Sequence, residues 1–469
     1  MCEGPHADPG SVATLTTPTS GPRVVELDDL LDDLLPVARF IAAEPEVRRT
    51  AAGFIGYGAT KPGDRVLLAA DTHYDWRVLE ATARALRERG AQVDVVTVDV
   101  GPDRDFTDLD EIHTVMRREP WDRKPRRWEG VPWVEELALR GNYDLLVHGK
   151  GGSIPPTPHR YEAFPWLTPA HFTSRATTYP RQLHTLINRK VWEQVRVQGC
   201  GGRVHLTDPE GTDLRWTLWE EYLDGSRLGT GDTPFWGHIM GHPPTPLIAK
   251  EDATGVAAGT TSHFARPFPR IRVTVQDGLV QTIEGGGAYG QGWRELLEES
   301  RYTQYPCFPR PGLFWLWEAA IGTNPKITRP PRIHRLSSGG FEWERRRSGV
   351  IHLGFGTFWR APEERWAAER GILYGHLHVH CLSPTLQIDT VDGKRLMVIE
   401  RGRLTALDDP DVRALAAELG NPDELLAEDW QAPIPGISVP GSYEEYAADP
   451  AGWIYAESLN AERSIGRRE

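Results

Sequence analysis

The length, composition and charge of this chain already exclude several classes of protein. With 469 residues, 39% hydrophobic and 25% charged, it has the make-up of a soluble globular protein with more than one domain. The net charge of -13 argues against nucleic acid as a partner, because phosphates attract basic proteins. No apolar run approaches the roughly 18 residues of a spanning helix, so we expect no membrane partner.

The N-terminal segment and the cysteines predict the compartment. Residues 1–22 lack the basic and then apolar order of a secretory signal, and we interpret them as a disordered leader. The four cysteines are scattered without a CxxC pair. This spacing argues against a disulfide framework and is typical of a reducing compartment. We therefore expect a cytoplasmic protein.

Residues 23–200 predict an α/β N-terminal domain with a parallel sheet. A strand at 65–70, a helix at 75–89 and a second strand at 92–100 follow one another. This order forms a right-handed parallel crossover. A strand at 143–147 precedes Gly-Lys-Gly-Gly, which lacks the spacing of phosphate-binding loops, so we interpret that segment as a flexible loop.

Residues 201–430 predict a β-rich α+β C-terminal domain that binds metal. The turn at 208–211 lies between two strand-like runs, which is a hairpin pattern. A strand at 270–276 reverses after Asp-Gly, and another lies at 395–399. Proline, glycine and charged residues dominate the remainder, 431–469, which we interpret as a C-terminal surface tail.

The most informative stretch is 348–393. His352 lies in the apolar run VIHLGFG, and His376, His378 and His380 alternate with apolar residues in HLHVH. Period-two alternation predicts a strand that presents the three imidazoles on one face. Imidazole is the commonest metal ligand in proteins, so the pattern predicts a metal site. The alternative is a half-solvated sheet face with no ligand.

Glu318 is a second candidate ligand. It stands in an apolar, aromatic run beside Trp317, where a carboxylate is costly to bury unless a cation or a metal accompanies it. The alternative is a solvent-facing or ion-paired glutamate. The basic run 345–347 we interpret as solvated loop charges rather than a binding patch.

The ordered motifs EAAIGTNP, VIHLGFG and HLHVHCLSPTLQID resemble the thermophilic aminopeptidase family, the aminopeptidase T group. Its non-peptidase relatives include an iron-dependent 2,5-dihydroxypyridine ring-cleaving dioxygenase, and the resemblance runs from about 61 to 404. An ungapped alignment on the Ser-Pro-Thr and Asp389 places His376 on the family's histidine and His378 on its aspartate. A register that uses His378 and His380 instead requires a gap, and both stay open.

The resemblance also implies what is missing. Ser262 and Arg347 stand where the two-metal peptidases have carboxylates, and Trp359 stands near a family tyrosine. An arginine cannot ligate a metal and repels a cation. The resemblance therefore implies one divalent metal, with Fe(II) favoured and Zn or Cu open. The implied ligands are Glu318, His352, His376 and His378.

The first function hypothesis is a mononuclear non-haem metal-dependent oxygenase or oxidase that acts on a small, aromatic or heteroaromatic substrate. In it, His380 acts as acid or base, and Tyr374 or Arg401 orients an anionic group. The alternative is a metal-dependent aminopeptidase or amidase, and a further alternative is a catalytically inactive binding protein of the same fold. The relatives are often dimers, so we expect a homodimer.

Overall fold

The structure is a computed structural model, and the statements below concern the residues that it describes. These residues are 30–44, 56–72, 74–99, 134, 136–137, 140–148, 160–164, 166–222, 238–242, 247–262, 267–329, 344–356, 366–367, 369–372, 374 and 376–465. The predicted leader at 1–22 and the Gly-Lys-Gly-Gly segment at 149–152 lie outside them.

Helices and strands alternate in the first part of the chain, and strands dominate the second. The strands are β1 (Arg65–Asp71), β2 (Gln92–Val98), β3 (Leu145–His148), β4 (Arg160–Ala163), β5 (Arg203–Asp208), β6 (Thr212–Thr217), β7 (His238–His242), β8 (Thr254–Thr261), β9 (Pro267–Gln276), β10 (Leu279–Gly285), β11 (Leu316–Gly322), β12 (Ile351–Gly356), β13 (His376–Cys381), β14 (Thr385–Asp389), β15 (Arg395–Glu400) and β16 (Arg403–Leu404). The helices are α1 (Leu35–Ala43), α2 (Trp76–Glu88), α3 (Pro169–Phe172), α4 (Arg181–Trp192), α5 (Gly287–Ser300), α6 (Pro410–Leu419), α7 (Pro422–Leu426), α8 (Tyr443–Ala448) and α9 (Pro450–Ile465).

The first sheet is parallel, as the strand–helix–strand order predicts. Its strand order is β2-β1-β3-β4, and each neighbouring pair is parallel. The side chain of Asp75 caps α2 by accepting a hydrogen bond from the Arg77 N–H. Gly90, at φ +90°, turns the chain from the end of α2 toward β2, a conformation that favours glycine.

The second sheet is antiparallel and has eight strands in the order β10-β9-β8-β6-β5-β14-β15-β16. The predicted hairpin at 208–211 joins β5 to β6, and Asp208 pairs with Thr212 at its end. The predicted reversal lies at Asp277 and Gly278, whose φ angles of +48° and +82° are those of a tight hairpin turn. The expected combination of a parallel α/β part and a β-rich part is therefore present, while the domain limits stay predictions.

A third sheet positions the candidate site. It has four antiparallel strands in the order β13-β12-β11-β7, and every residue of β11 and β12 is buried. One hydrophobic cluster contains side chains of both antiparallel sheets, among them Val273 and Leu353. The site therefore lies on strands inside a core rather than on surface loops.

The segment after residue 430, predicted to be a surface tail, carries buried side chains. Ile434 and Tyr446 belong to one hydrophobic cluster with Val350 and Leu382, which flank β12 and β13. α8 and α9 lie in this segment. Its apolar side chains thus contact the ends of the strands that carry the site.

No helix in the described part of the chain combines the length and the apolarity that a membrane crossing needs.

Candidate metal centre

Three neighbouring strands bring the candidate ligands together in two rows. Glu318 on β11 pairs with Gly354 on β12, which pairs with His378 on β13. In the next row, His352 on β12 pairs with His380 on β13. Directly paired residues, and residues two positions apart on one strand, project from the same face of a sheet. Antiparallel register therefore aims Glu318, His352, His378 and His380 into one space.

Gly354 provides the space at the centre of these rows. A Cβ atom at this position would lie 3.1 Å from Oε2 and 3.2 Å from Cβ of Glu318, closer than ordinary contacts allow. The missing side chain lets Glu318 lie over the middle strand, toward His352 and His378.

Glu318, His352 and His378 form a compact group of potential ligands. One donor atom from each lies within 4.8 Å of the others, and all three residues are buried. His352 Nε2 lies 3.4 Å from Glu318 Oε2. The His352 and His378 rings are stacked, with centroids 4.6 Å apart. Two imidazoles and one carboxylate are a donor set that zinc, copper and non-haem iron accept, so the residues fit a single divalent ion.

The burial of this face decides between the two sequence interpretations of the histidine strand. His352 and His380 have no exposed surface, and His378 is 6% exposed. A half-solvated sheet face is thus wrong for these three residues.

His380 bridges His352 to a buried carboxylate. Its Nε2 lies 2.9 Å from His352 Nδ1, and its Nδ1 lies 3.0 Å from Glu344 Oε1. Burial lowers the pKa of His380, although the hydrogen bond and the charge of Glu344 oppose this effect. Both ring nitrogens are engaged, which makes His380 a bridge within the site. Its predicted acid–base role remains a prediction.

Glu318 and Glu344 are buried alike but have opposite pKa shifts. Burial raises the pKa of Glu318, and the nearby charges of Arg345 and Arg346 only partly offset it. Burial would also raise the pKa of Glu344, but the charge of Arg329 and the hydrogen bonds outweigh it and lower that pKa to about 2. Glu344 is therefore ionised at neutral pH.

The interpretation of 345–347 as solvated loop charges is wrong. Arg345, Arg346 and Arg347 are at most 5% exposed, and a buried 3₁₀ turn spans Glu344–Arg346. Arg347 does not face the candidate ligands as the resemblance suggests. Its Nη2 lies 3.2 Å from Glu428 Oε2. Carboxylates distant in the sequence allow this burial, and a charge run cannot show them.

Arg345 is a cation that lies directly beside two of the candidate ligands. Its Nη1 lies 3.3 Å from His352 Nε2 and 4.0 Å from Glu318 Oε1. Glu344 and Arg345 are thus the site residues that sequence reasoning missed. The only signal was their position in the charged run ERRR, where they stand eight and seven residues before the buried His352.

The other predicted site residues are His376, Tyr374 and Arg401. His376 pairs with Gly356 in β13, while its side chain lies outside the described part. Tyr374 is buried just before β13. Arg401 is exposed in the turn between β15 and β16 of the eight-stranded sheet. Its backbone N–H donates to Thr385 Oγ1. Their predicted roles stay predictions.

The resemblance also singled out Ser262, at a family carboxylate, and Trp359, near a family tyrosine. Ser262 is buried just beyond β8, and Trp359 lies outside the described residues.

Comparisons with known proteins find similar solved structures but no match by sequence. No protein-family model matches the chain, and no curated protein matches its sequence. A solved structure of 2,5-dihydroxypyridine dioxygenase from Pseudomonas putida KT2440 matches with 14% identity and a TM-score of 0.46, over 81% of this chain and 98% of that one. A structure of wild-type AmpT from Thermus thermophilus matches with 15% identity and a TM-score of 0.43, over 80% and 99%.

The names of these two proteins correspond to the two groups that the sequence motifs resemble. The values describe overall shape and say nothing about which reaction this chain performs.

Proposed function

We propose that this chain is a mononuclear metal-dependent enzyme of the oxygenase or oxidase class that acts on a small aromatic or heteroaromatic molecule. The observation that carries the proposal is the buried group of Glu318, His352 and His378, with its donor atoms within 4.8 Å. Two imidazoles and a carboxylate leave coordination positions open, as in the facial arrangement of non-haem iron oxygenases. When bound there, the metal would supply a Lewis acid and a redox centre.

The residues around the ligands would bind substrate and exclude water. The ligands are nearly solvent-free, and the buried Trp317 lies beside Gly354. In such surroundings electrostatic contacts are stronger than in water. The Arg345 guanidinium, already 3.3 Å from His352 Nε2, can donate hydrogen bonds to an anionic oxygen of the substrate. We assign to Arg345 the anion-orienting task that the sequence suggested for Tyr374 or Arg401.

Two observations weigh against the peptidase alternative. Within the described ranges, only one group of three or more potential metal ligands occurs, and a two-metal peptidase needs further carboxylates beside it. A one-metal hydrolase needs a general base, and Glu318 would be occupied as a ligand.

Metal analysis of single-site variants tests the ligand set. We expect the wild-type protein, prepared anaerobically with iron, to hold about one ion per chain, and His378→Gln and Glu318→Gln to lose it, since each removes a ligand. His205→Gln is the matched control. His205 also lies beside a carboxylate, 2.9 Å from Asp213, but it belongs to the eight-stranded sheet. A wild-type protein with no ion, or with two, contradicts the proposal.

Activity assays then separate the function classes. We expect oxygen uptake with phenols or hydroxypyridines, and no cleavage of aminoacyl amides. Amide cleavage would favour the peptidase, while metal binding without either activity would favour a binding protein. Iron as the metal, the homodimer and the cytoplasmic location stay predictions from the sequence.

A further inference from the structure

A chain of charged and hydrogen-bonded groups connects the candidate metal centre to the C-terminal helix α9. Glu344 uses both carboxylate oxygens, with Oε1 3.0 Å from His380 Nδ1 and Oε2 accepting from Arg329 Nε at 2.6 Å. Arg329 Nη1 donates to Glu457 of α9 at 2.6 Å. Glu457 also accepts from the Trp430 indole N–H at 2.7 Å. Arg329, itself held by Glu457, thereby fixes the position of the Glu344 carboxylate.

The donors and acceptors in this chain determine the tautomers of two histidines. A carboxylate only accepts, so the imidazole tautomer of His380 must donate to Glu344 from Nδ1–H. Its Nε2 then carries a lone pair and accepts from His352 Nδ1–H. As a result, the lone pair of His352 lies on Nε2, the nitrogen that faces Glu318.

The contact between Arg345 and His352 gives the same His352 tautomer independently. Arg345 lies 3.3 Å from His352 Nε2, and a guanidinium can only donate. His352 Nε2 must therefore accept, which again places the ring proton on Nδ1.

We propose that Glu344 is a positioning residue for the metal, which acts through His380 to keep the Nε2 lone pair of His352 directed at the ion. This inference rests on the proposed metal site and adds to it a residue that does not itself touch the metal. Outer carboxylates of this kind orient ligating histidines and make them more basic. Arg329 and Glu457 hold the carboxylate in place.

The variant Glu344→Gln makes the proposal testable, because it exchanges donors and acceptors in the hydrogen bonds from residue 344 through His380 to His352. Arg329 only donates, so the new side chain must give it the amide oxygen and turn its NH₂ toward His380 Nδ1. His380 would then donate from Nε2 to His352 Nδ1, and His352 would carry its proton on Nε2. The Arg345 guanidinium, which only donates, would have to turn away from that nitrogen. The atom that should bind the metal would be blocked without a change in side-chain volume.

The experiment measures tautomers and metal affinity separately. In metal-free protein labelled with ¹⁵N-histidine, NMR should show His352 protonated at Nδ1 in the wild type and at Nε2 in Glu344→Gln. The dissociation constant for Fe(II) or Zn(II), measured by chelator competition, should rise about 10- to 100-fold. Glu428→Gln is the matched control. Glu428 also pairs with a buried arginine and accepts from a hydroxyl, that of Ser348, but has no contact with His380.

The outcomes separate this inference from the proposed function. A wild-type His352 protonated at Nε2 overturns the inference, and this measurement requires no variant to fold. Equal metal affinity in Glu344→Gln and Glu428→Gln also overturns it, while the metal site stands. If the wild type binds no metal but shows the expected tautomers, the proposed function fails and the hydrogen-bonded chain remains as described.

Discussion

Gly354 determines how closely Glu318 can approach the histidines of β12 and β13. It is the middle residue of the row that joins Glu318 to His378. Any side chain here would contact the Glu318 carboxylate first, at 3.1 Å from Oε2. The distance between the candidate ligands thus depends on a glycine, which has no side chain that could bind a metal.

We expect Gly354→Ala to weaken metal binding more than it weakens the fold. Overpacking a buried position typically costs about 1–3 kcal/mol, and the added methyl group would push the Glu318 carboxylate from its place. If that cost falls on the site, affinity drops about tenfold or more. Metal titration and thermal unfolding of the same preparation measure the two effects.

Gly241→Ala is the matched control, because it adds a methyl group to β7 in the same sheet. There the new Cβ would lie 3.3 Å from the Ala319 carbonyl oxygen and 3.6 Å from the Ile321 side chain, away from the Glu318 carboxylate. Equal losses of affinity in the two variants would show that Gly354 has no special role.

Glu318, His352 and His378 could be proposed from the sequence because each lies in an apolar run that makes a polar side chain conspicuous. Glu344 and Arg345 could not. Their run of charges looks solvated, and the partners that allow its burial are far away in the chain. Arg329, for example, lies fifteen positions before Glu344 and reaches it at 2.6 Å. Local pattern does not contain such contacts.

At the scale of elements, Lys326 connects the end of β11 to the C-terminal segment. Its buried ammonium group donates to the carbonyl oxygens of Glu424 and Ala427 and to Asp429 Oδ1 at 2.9 Å. α7 ends at this point, a few residues before Trp430. A lysine buried in this way holds α7 and its following turn against the site-bearing strands.

Lys326→Met should loosen this attachment without altering the volume of the side chain. All three acceptors would lose this donor, and within the described contacts only Glu424 O and Asp429 Oδ1 would keep a second one, Arg175. A buried group left unpaired typically costs about 1–3 kcal/mol. We expect faster amide hydrogen exchange in 422–430, measured by mass spectrometry.

The comparison for this variant is Lys190→Met, which removes a more exposed lysine paired with Asp409 and Asp411. Its effect should be smaller, because exposed ion pairs contribute little. Unchanged exchange in 422–430 of Lys326→Met would show that other contacts hold the segment.

Elements with regular patterns agree with the sequence predictions, and irregular ones do not. The strand at 65–70 and the hairpin at 208–211 follow from apolar runs and turn residues. The segment after 430 has no such period, because isolated residues such as Ile434 and Tyr446 supply its buried surface. Sparse contacts of this kind do not register in a composition dominated by proline, glycine and charge.

At the scale of the whole molecule, two buried carboxyl groups make stability depend on pH. Glu210 has no exposed surface, and its Oε1 accepts from Thr260 Oγ1 at 2.8 Å. Burial, followed by the charge of Asp208, raises the pKa of Glu210 well above its usual 4.5. Burial raises the pKa of Asp208 as well. The native state therefore holds protons that the unfolded chain releases.

The sign of the effect follows from this difference in bound protons. Stability is fully present below the unfolded pKa near 4.5 and declines as pH rises toward the higher native pKa. Glu210→Gln removes the titrating group, so its free energy of unfolding should exceed that of the wild type near pH 8 and approach it near pH 5. Urea unfolding across this range measures the difference. A wild-type stability that rises with pH, with no change in the variant, would contradict it.

The strand arrangement of the candidate ligands has a consequence for the unfolded chain. Glu318 and His378 belong to strands separated by β12, and they are sixty positions apart in the sequence. A denatured polypeptide cannot hold such distant groups around one cation, so an ion bound there would recognise only the finished sheet. At a hundredfold excess over its dissociation constant it would add about 2.7 kcal/mol to the native state. The supply of the ion would thus govern the lifetime of this protein as well as its chemistry.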